Sequence, residues 1–461
     1  MSRQGGTDVK RKASYFKIFL LGFGFFGISI LWSLYNSDIP IMLKSLYNLS
    51  YTASGWVMNL DNILAITLIP LVGFWSDHVW TRIGRRMPFI ISTLPAGAVL
   101  FALVPWIPLW FGSSATSLVV FILVLFLMNV CLGISRSPII ALMPDLVPPE
   151  ERSPANGVIN FMGGFGSLLV YFVIGKISTT NRPLGFAIAG ASVLVAAVIM
   201  FLSIHETRDS LDRKAPQSEH ADFSLLRRMW TPRYRSLLLI CLAIFFWFIA
   251  YNAIETYYPT YMHYEGPAVK ALIAKLGTAT PTDTASLAQL NSIRQTSEAS
   301  AKFNFGVMSL AFMVLAIPAG FIGKALGRRS TIVIGLTGVI LMVLLLALNI
   351  AGIGVLAVFV MGGLSWALVN INSLPMVLDM GSLEMVGALT GVYYFFSQAA
   401  SIVSPPLVGH IADLAGGTMS VMFPYAAIFF VLSAVCMLFI RSEDKPATSS
   451  DQTTSANAPA V

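Results

Sequence analysis

Long apolar segments that carry almost no charge recur along the whole chain of 461 residues. The hydrocarbon core of a bilayer, about 30 Å thick, is crossed by a helix of roughly 20 apolar residues. The composition is 56% hydrophobic and only 11% charged, unlike that of a soluble domain. The segments of sufficient length are at about 16–44, 51–75, 88–110, 117–144, 154–178, 184–204, 236–262, 302–323, 330–349, 355–378, 386–411 and 421–440. The sequence therefore predicts an all-α membrane protein with twelve transmembrane helices.

A short charged turn follows the second apolar segment, and a weaker copy follows the eighth. The two copies are Gly73-Phe-Trp-Ser-Asp77 continuing to Gly84-Arg85-Arg86, and Gly320-Phe-Ile-Gly-Lys324 continuing to Gly327-Arg328-Arg329. Asp145 and Asp379 are separated by the same interval as Gly157 and Gly391. This repetition indicates two pseudo-symmetric six-helix halves, an arrangement typical of one large class of transporters.

The polar stretches divide the chain into regions. We predict a cytoplasmic N-terminal arm at 1–15, a six-helix half at 16–204, a cytoplasmic linker at 205–235, a second half at 236–440 with an outer loop at 263–302, and a disordered cytoplasmic tail at 441–461. The outer loop has alternating Ala/Leu and polar residues that are compatible with a surface helix. A solvated loop without a role in coupling is the alternative.

The net charge of +7 is explained by topology. Most of the 29 lysines and arginines fall on the side of the N-terminus when the twelve segments are threaded through a membrane. Positive charge stays cytoplasmic during insertion, so we expect a multi-pass plasma-membrane protein with both termini in the cytoplasm. The first apolar segment is interpreted as the first spanning helix rather than a cleavable signal. No nucleic-acid partner is expected.

The sequence offers no catalytic constellation. It has no Gly-rich phosphate loop after a strand and no metal-spaced His/Cys cluster, and its five histidines are scattered. Three cysteines, Cys131, Cys241 and Cys436, all fall within predicted spans and are interpreted as packing residues. We therefore expect no enzyme activity, no cofactor and no metal.

Three stretches carry a resemblance to a known family. They are Pro70 through Asp77 to Trp80-Thr-Arg82-Ile-Gly84-Arg85-Arg86-Met-Pro88, then Arg136-Ser-Pro138-Ile-Ile-Ala-Leu-Met-Pro144-Asp145-Leu with Glu151-Arg152-Ser-Pro-Ala-Asn156, and Tyr251-Asn252-Ala-Ile-Glu255. From about residue 16 to 440 the chain resembles the major facilitator superfamily. Within it, the chain is most similar to the glycoside–pentoside–hexuronide:cation symporter group and its sucrose/maltose-carrier-like bacterial branch.

The resemblance implies a secondary active transporter of the bacterial inner membrane that works by alternating access. The expected function is proton-coupled import of a disaccharide or other glycoside by a monomer, with the sugar and H⁺ as its small partners. Sodium-coupled melibiose carriers of this group have two acids where this chain has Ala65 and Ile69, so sodium coupling through that site is not expected. The alternative is the same fold exporting or exchanging another small solute.

Charges inside spans are expensive in lipid and usually line a cavity. Asp61 lies about 10 residues into the second segment, roughly 15 Å deep at the rise of an α-helix. We rank Asp61 first as the proton-coupling residue, Glu255 second and Asp38 third. A satisfied interhelical hydrogen bond or ion pair is the alternative for each of them. Arg136 interrupts the fourth segment and is a candidate donor to sugar hydroxyls.

Sugar recognition requires hydrogen-bonding groups beside aromatic faces. The substrate-binding candidates are Trp32, Tyr35, Asn36, Arg136, Asn160, Trp247, Tyr251, Asn252, Trp366, Asn370, Tyr393 and Gln398. Aromatic residues in membrane proteins also serve in the core and in interfacial belts, which is the alternative for these.

The turn motif predicts a cytoplasmic gate. Its candidates are Gly73, Asp77, Arg82, Gly84, Arg85, Arg86, Asp145, Arg152, Arg328 and Arg329. Asp77 is expected to accept from N–H groups at the start of the next helix, or to pair with Arg85 or Arg86 across the inner face. Such pairs would hold this side closed in the outward-open state. Because Lys324 replaces the acid in the second copy, the first copy is expected to matter more. Topology signals and helix-end solvation are the alternatives.

Overall fold

The computed structural model describes residues 15–147, 152–206, 231, 234–348, 353–381 and 385–440. Over these ranges the long helices are α1 (Tyr15–Tyr47), α2 (Tyr51–Met58 and Leu60–His78), α3 (Met87–Leu103), α4 (Ala115–Leu146), α5 (Arg152–Leu169), α6 (Arg182–Ser203), α7 (Arg235–Glu265), α8 (Thr284–Leu326), α9 (Arg328–Ala347), α10 (Ile353–Leu378), α11 (Val386–Leu414) and α12 (Met422–Leu438). A π-helical turn and the short helix Gly175–Thr180 extend α5. The predicted arm, most of the linker and the tail lie outside the described residues.

Among the described helices, eleven are long and apolar enough to cross a membrane. The twelfth, α11, has 29 residues, more than the roughly 20 that a span requires. Its sequence contains several polar residues, of which Gln398 and Ser401 line a cavity between the two halves of the bundle. The predicted all-α membrane fold is therefore confirmed.

The segment 263–302, interpreted from the sequence as an outer loop, is largely helical. It contains the surface helix Pro267–Leu276, and α8 already begins at Thr284. The side chain of Asp283 caps α8 by accepting a hydrogen bond from the backbone N–H of Ser286. With 43 residues, α8 is roughly 65 Å long, so it extends well beyond a hydrocarbon core of about 30 Å.

Helices α1–α6 pack as one half of the bundle and α7–α12 as the other. Between the halves, α2 lies against α11 and α1 lies against α7. At the α2–α11 contact the backbones touch, since a Cβ on Gly55 would lie 2.6 Å from the backbone of Pro405. A Cβ on Gly409 would lie even closer to the backbone of Tyr51. Small residues at such positions allow membrane helices to approach closely.

The two ends of the bundle differ in how the halves meet. We call the end that carries Arg85 and Arg328 the basic end, and the end that carries Asp38 and Tyr51 the opposite end. The amide of Asn59 donates to the carbonyl oxygen of Ile402 at a break in α2. In the described part of the chain, polar contacts between the halves run from this point to the opposite end. The structure is therefore closed at the opposite end.

Candidate substrate cavity and gates

A polar cavity of about 310 Å³ lies between the two halves, near the middle of the bundle. It is bordered by α1, α2, α4 and α5 of the first half and by α7 and α11 of the second. The lining residues are Ser29, Trp32, Ser33, Asn36, Met58, Asp61, Asn62, Arg136, Ser167, Asn252, Glu255, Thr256, Gln398, Ser401 and Pro405. The cavity brings together five of the predicted substrate-binding residues and two of the three predicted proton-coupling residues.

The cavity wall also contains residues that sequence reasoning missed. They are Ser29, Ser33, Met58, Asn62, Ser167, Thr256, Ser401 and Pro405. Most belong to polar stripes with helical spacing, such as positions 29, 32, 33 and 36 of α1. Because residues three and four apart share one face of a helix, this periodicity could have identified them.

Asp61 forms a three-residue cluster in the first half. The indole Nε1 of Trp32 donates to Asp61 Oδ2 at 3.1 Å. The guanidinium of Arg136 lies 4.4 Å from the centre of the Trp32 ring, a cation–π contact. Arg136 also interacts electrostatically with Asp61. One aromatic side chain thus contacts both the carboxylate and the cation of the site.

Glu255 faces this cluster from α7 of the second half. It lines the same cavity, is half-buried, and lies close enough to Asp61 for the two carboxyl groups to interact electrostatically. Nearby, the Asn252 amide donates to Ser401 Oγ at 3.2 Å. No salt bridge to Glu255 is found among the residues that the structure describes. The cavity therefore carries one carboxylate with a cationic neighbour and one without.

The other predicted substrate-binding residues do not line this cavity. The Tyr35 hydroxyl donates to the carbonyl oxygen of Val57, and the Asn160 amide donates to that of Asn156. Trp247 is fully buried, and Tyr251 and Trp366 stack on each other. Ser373 Oγ donates to the backbone carbonyl of Asn370 and contacts the Tyr393 hydroxyl. The Tyr251 and Trp366 rings are parallel, with centroids 4.2 Å apart, so each covers one face of the other. Aromatic content alone did not distinguish these packing residues from cavity residues.

Asp38, the third proton-coupling candidate, lies in a separate cluster at the opposite end. Its Oδ2 is 2.7 Å from Lys302 Nζ and its Oδ1 is 2.6 Å from the Arg182 guanidinium. Glu298 completes the cluster, 2.9 Å from Lys302 and 3.0 Å from Arg182. His263 Nδ1 lies 2.9 Å from Glu298. Asp38, Glu298 and Lys302 are all fully buried.

This cluster joins the halves, because Asp38 and Arg182 come from the first half and Glu298 and Lys302 from the second. We call these four residues the opposite-end cluster. Two carboxylates and two cations balance one another, as buried charges require. Sequence reasoning missed all but Asp38, although Glu298 and Lys302 have the i,i+4 spacing of a helical ion pair.

A second tie at the opposite end connects the start of α2 to the end of α11. Asp413 accepts from the backbone N–H groups of Tyr51 at 2.9 Å and of Thr52 at 2.8 Å. It also accepts from Thr52 Oγ1 at 2.6 Å. The hydroxyl of Tyr257 donates to the Tyr51 carbonyl at 3.1 Å. Because the first N–H groups of a helix lack intrahelical partners, Asp413 acts as a cap supplied by the other half.

At the basic end, the turn motif forms an ion-pair cluster within the first half. Arg85 lies 2.6 Å from Asp145, and Arg86 lies 3.1 Å from the same carboxylate. Asp77 pairs with Arg86 and lies 3.8 Å from Arg85. All of these residues belong to one half. The predicted pairing of Asp77 with the arginines is present, but it does not connect the two halves.

The start of α3 is capped by Glu206, not by Asp77 as the sequence suggested. Its carboxylate accepts from the backbone N–H groups of Arg85 at 2.9 Å, Arg86 at 2.9 Å and Met87 at 2.8 Å. Gly84 has φ +114°, and a Cβ there would lie 2.6 Å from the Glu206 carboxyl group. The turn therefore requires glycine for both its conformation and this close contact.

The remaining gate candidates are less connected. Arg328 lies 2.9 Å from Asp379, and Arg329 donates to the carbonyl oxygens of Met437 and Leu438 at the end of α12. Arg82 is exposed, and a Cβ on Gly73 would lie 3.2 Å from Ser137 Oγ. The side chain of Arg152 lies outside the described residues. Over the described chain, the second copy of the motif thus has fewer ion pairs than the first.

A duplicated helical bundle with a polar cavity between its halves is the architecture of a membrane transporter. The model of the Major Facilitator Superfamily matches residues 21–280 and 266–460, which is most of the chain. The chain belongs to this superfamily. No group of His, Cys, Asp and Glu that could hold a metal ion occurs within the described ranges.

Curated relatives agree with the symporter group that the sequence motifs suggested. A general alpha-glucoside permease of Schizosaccharomyces pombe is 22% identical over 51% of this chain and 46% of its own length. A sucrose transport protein of Arabidopsis thaliana is 26% identical over 31% of this chain and 26% of its length. The proton-associated sugar transporter A of Mus musculus is 26% identical over 40% of this chain and 25% of its own length. The chain thus spans less than half the length of these relatives.

Solved structures support the fold. A D-xylose-proton symporter aligns with a TM-score of 0.61 at 16% identity, covering 94% of this chain and 100% of its own. The nucleoside transporter NupG aligns with a TM-score of 0.66 at 12% identity, covering 93% of this chain and 99% of its own. At these identities the similarity shows the major facilitator fold alone.

Proposed function

We propose that the protein imports a disaccharide or other glycoside together with protons by alternating access. The observation that carries this proposal is the cavity in which Asp61, Trp32 and Arg136 of one half face Glu255, Asn252 and Gln398 of the other. The matched glucoside, sucrose and proton-associated sugar transporters support the substrate class. The same proposal includes a monomer in the inner membrane with both termini cytoplasmic.

The chemistry of the cavity suits a sugar. Its volume of about 310 Å³ falls at the lower end of small-molecule sites, which span roughly 300–1,000 Å³. The amides of Asn36, Asn252 and Gln398 and the guanidinium of Arg136 provide hydrogen-bond donors for hydroxyl groups. Trp32 provides an aromatic surface for the C–H face of a sugar ring. A solute that contacts both walls would be bound by both halves.

Asp61 is the proposed proton acceptor. A carboxylate at this depth must be paired or neutralised. Trp32, whose ring is the proposed aromatic surface for the sugar, donates a hydrogen bond to Asp61, and the Arg136 guanidinium packs over the face of the same ring. A change in the protonation of Asp61 would therefore change the surface that the sugar contacts, which is the link that symport requires. Glu255 is the second candidate because it faces the same cavity from the other half.

The structure corresponds to an inward-facing state if the basic end is cytoplasmic. The opposite-end cluster, Asp38 with Arg182 and Glu298 with Lys302, then closes the outer side. This assignment replaces the role of Asp38 as a proton carrier, because both of its oxygens are bound by cations within a buried cluster. The Asp77–Arg86–Asp145 cluster is proposed to keep the first half rigid while the halves rock.

The test is uptake of labelled maltose and sucrose into proteoliposomes under an imposed inward pH gradient. Wild-type uptake should rise with the gradient, while Asp61→Asn should be insensitive to it and still exchange preloaded sugar. Glu255→Gln is the matched control from the other half and should retain a response to the gradient. Gradient-driven uptake that is unchanged in Asp61→Asn would refute the role of Asp61. Folded protein that moves neither sugar would favour export or exchange of another small solute.

A further inference from the structure

A second, much smaller cavity of about 20 Å³ lies inside the first half, behind Trp32. Its polar lining comes from Tyr35 of α1, Asp61 of α2, and Asn129 and Arg136 of α4, and the rest is mostly apolar. Trp32, Asp61 and Arg136 border both this cavity and the large one. They therefore form the wall between the two.

Two buried polar atoms in this region have no hydrogen-bond partner within 3.5 Å among the residues that the structure describes. They are Asp61 Oδ1 and Asn129 Nδ2. Asn129 is only 5% exposed, so its amide has no access to bulk water. The other oxygen of Asp61, Oδ2, is already bonded to Trp32. Buried polar groups are nearly always hydrogen-bonded, so two unmatched polar atoms on the wall of one small cavity favour a bound molecule there.

The size of the cavity restricts what that molecule can be. A cavity of about 10–15 Å³ holds one water molecule, so about 20 Å³ admits one and no sugar ring. A water needs two to four polar partners. Here Asn129 Nδ2 can donate to it and Asp61 Oδ1 can accept from it, while the Tyr35 hydroxyl, which donates its own proton to Val57 O, can only accept. These partners come from three different helices of the first half.

Building on the proposed function, we propose that this cavity binds one water molecule that bridges Asp61 and Asn129 and stabilises the ionised form of Asp61, the proposed proton acceptor. The carboxyl group of Asp61 then has one oxygen facing the sugar side, through Trp32, and one facing the water. Asp61 takes its proton from the aqueous large cavity and returns it there, so the bridging water stays intact and only its hydrogen bond to Oδ1 changes. Asn129 is a positioning residue, because it acts through the water.

The charged and titratable groups around Asp61 determine in which direction the loss of the water shifts the balance between its ionised and protonated forms. Tyr35 faces it from α1, Arg136 from α4 and Glu255 from α7. A water that donates to Oδ1 stabilises the ionised carboxylate. Asn129→Leu keeps the number and branching of the heavy atoms but removes both polar atoms, and its bulkier methyl groups fill the small cavity. The loss of the water therefore favours the protonated acid.

The first measurement is infrared spectroscopy of the full-length protein in lipid as a function of pH. The carboxyl band that is absent in Asp61→Asn reports the protonated acid. In Asn129→Leu this band should persist to higher pH than in the wild type. Asn129→Ser, which keeps a hydroxyl and leaves room for water, should stay close to the wild type. Asn370→Leu is the same substitution outside both cavities and should have no effect.

The second measurement is transport in proteoliposomes. Asn129→Leu should lower gradient-driven sugar accumulation by about tenfold, corresponding to one lost hydrogen bond to a charged group. Exchange of preloaded sugar without a gradient should be retained, which also shows that the variant is folded. An Asp61 band with the same pH midpoint in Asn129→Leu and wild type would overturn the water site. If that midpoint shifts but wild-type protein shows no gradient-driven uptake, the water site stands and the symport proposal fails.

Discussion

Lys302 gives the most direct test of how the opposite end is held closed. Its Nζ lies 2.7 Å from Asp38 and 2.9 Å from Glu298, and all three side chains are fully buried. Lys302→Met would keep most of the apolar stem but leave two buried carboxylates with Arg182 as their cationic partner. Removing one member of a buried ion pair costs about 3–5 kcal/mol, because the remaining charge is uncompensated.

This cost applies only to the state in which the cluster is buried. When the halves separate at this end, both carboxylates become hydrated and no longer need Lys302. At the lower limit of about 3 kcal/mol, the ratio of closed to open molecules changes by roughly 100-fold. Lys302→Met should therefore make the central cavity accessible from the side of the membrane that the opposite end of the bundle faces.

Thiol labelling measures this shift. Thr256→Cys places a thiol in the cavity, in a background from which the three native cysteines have been removed. Lys302→Met should increase the rate at which a membrane-impermeant maleimide reacts from the opposite side. Lys275→Met removes an exposed lysine of the nearby surface helix and is the matched control. Adding Glu298→Gln to Lys302→Met should restore part of the closed population. Unchanged labelling in folded Lys302→Met would refute the gating role of the cluster.

Two other substitutions test the basic end and the cavity. Gly84→Ala should lower the thermal unfolding midpoint in detergent more than Gly416→Ala does. Both positions have positive φ, where a side chain costs about 1–2 kcal/mol, but only Gly84 is in contact with Glu206. Equal losses in the two variants would show that the contact with Glu206 is unimportant. Trp32→Phe keeps an aromatic ring but removes the N–H group that donates to Asp61. Sugar uptake into proteoliposomes should therefore lose much of its dependence on the pH gradient, while sugar exchange continues. An unaltered response to the gradient would show that Trp32 has no role in coupling.

The fold was predictable because membrane insertion imposes a strong pattern on sequence. Helices longer than about 20 apolar residues and the repeated turn were sufficient to identify the twelve spans and the two halves. The polar segment 263–302 was harder, since Glu298 and Lys302 look solvated in sequence but are buried against Asp38 and Arg182. An ion pair between distant helices leaves no local signal other than the i,i+4 spacing of two of its members.

The site was predictable in part for a similar reason. Asp61 and Glu255 are conspicuous because charges are rare within spans. Trp247, Tyr251 and Trp366 have the same composition signal as Trp32, yet they pack against other side chains. Which aromatic faces the cavity depends on helix rotation, and the small polar residues that share its stripe report that rotation better than the aromatic residue itself.

The distribution of polar contacts explains how a rocking movement can be reversible. At the basic end, the ion pairs of Arg85 and Arg86 stay within one half, so they need not break when the halves move. At the opposite end, Lys302 and Asp413 connect the two halves, so these contacts must break. A solute between Asp61 and the wall that carries Glu255 contacts both rigid bodies at once. In the proposed mechanism, the binding energy of the solute offsets the loss of the contacts at the closed end, and the protonation state of Asp61 sets how much is offset.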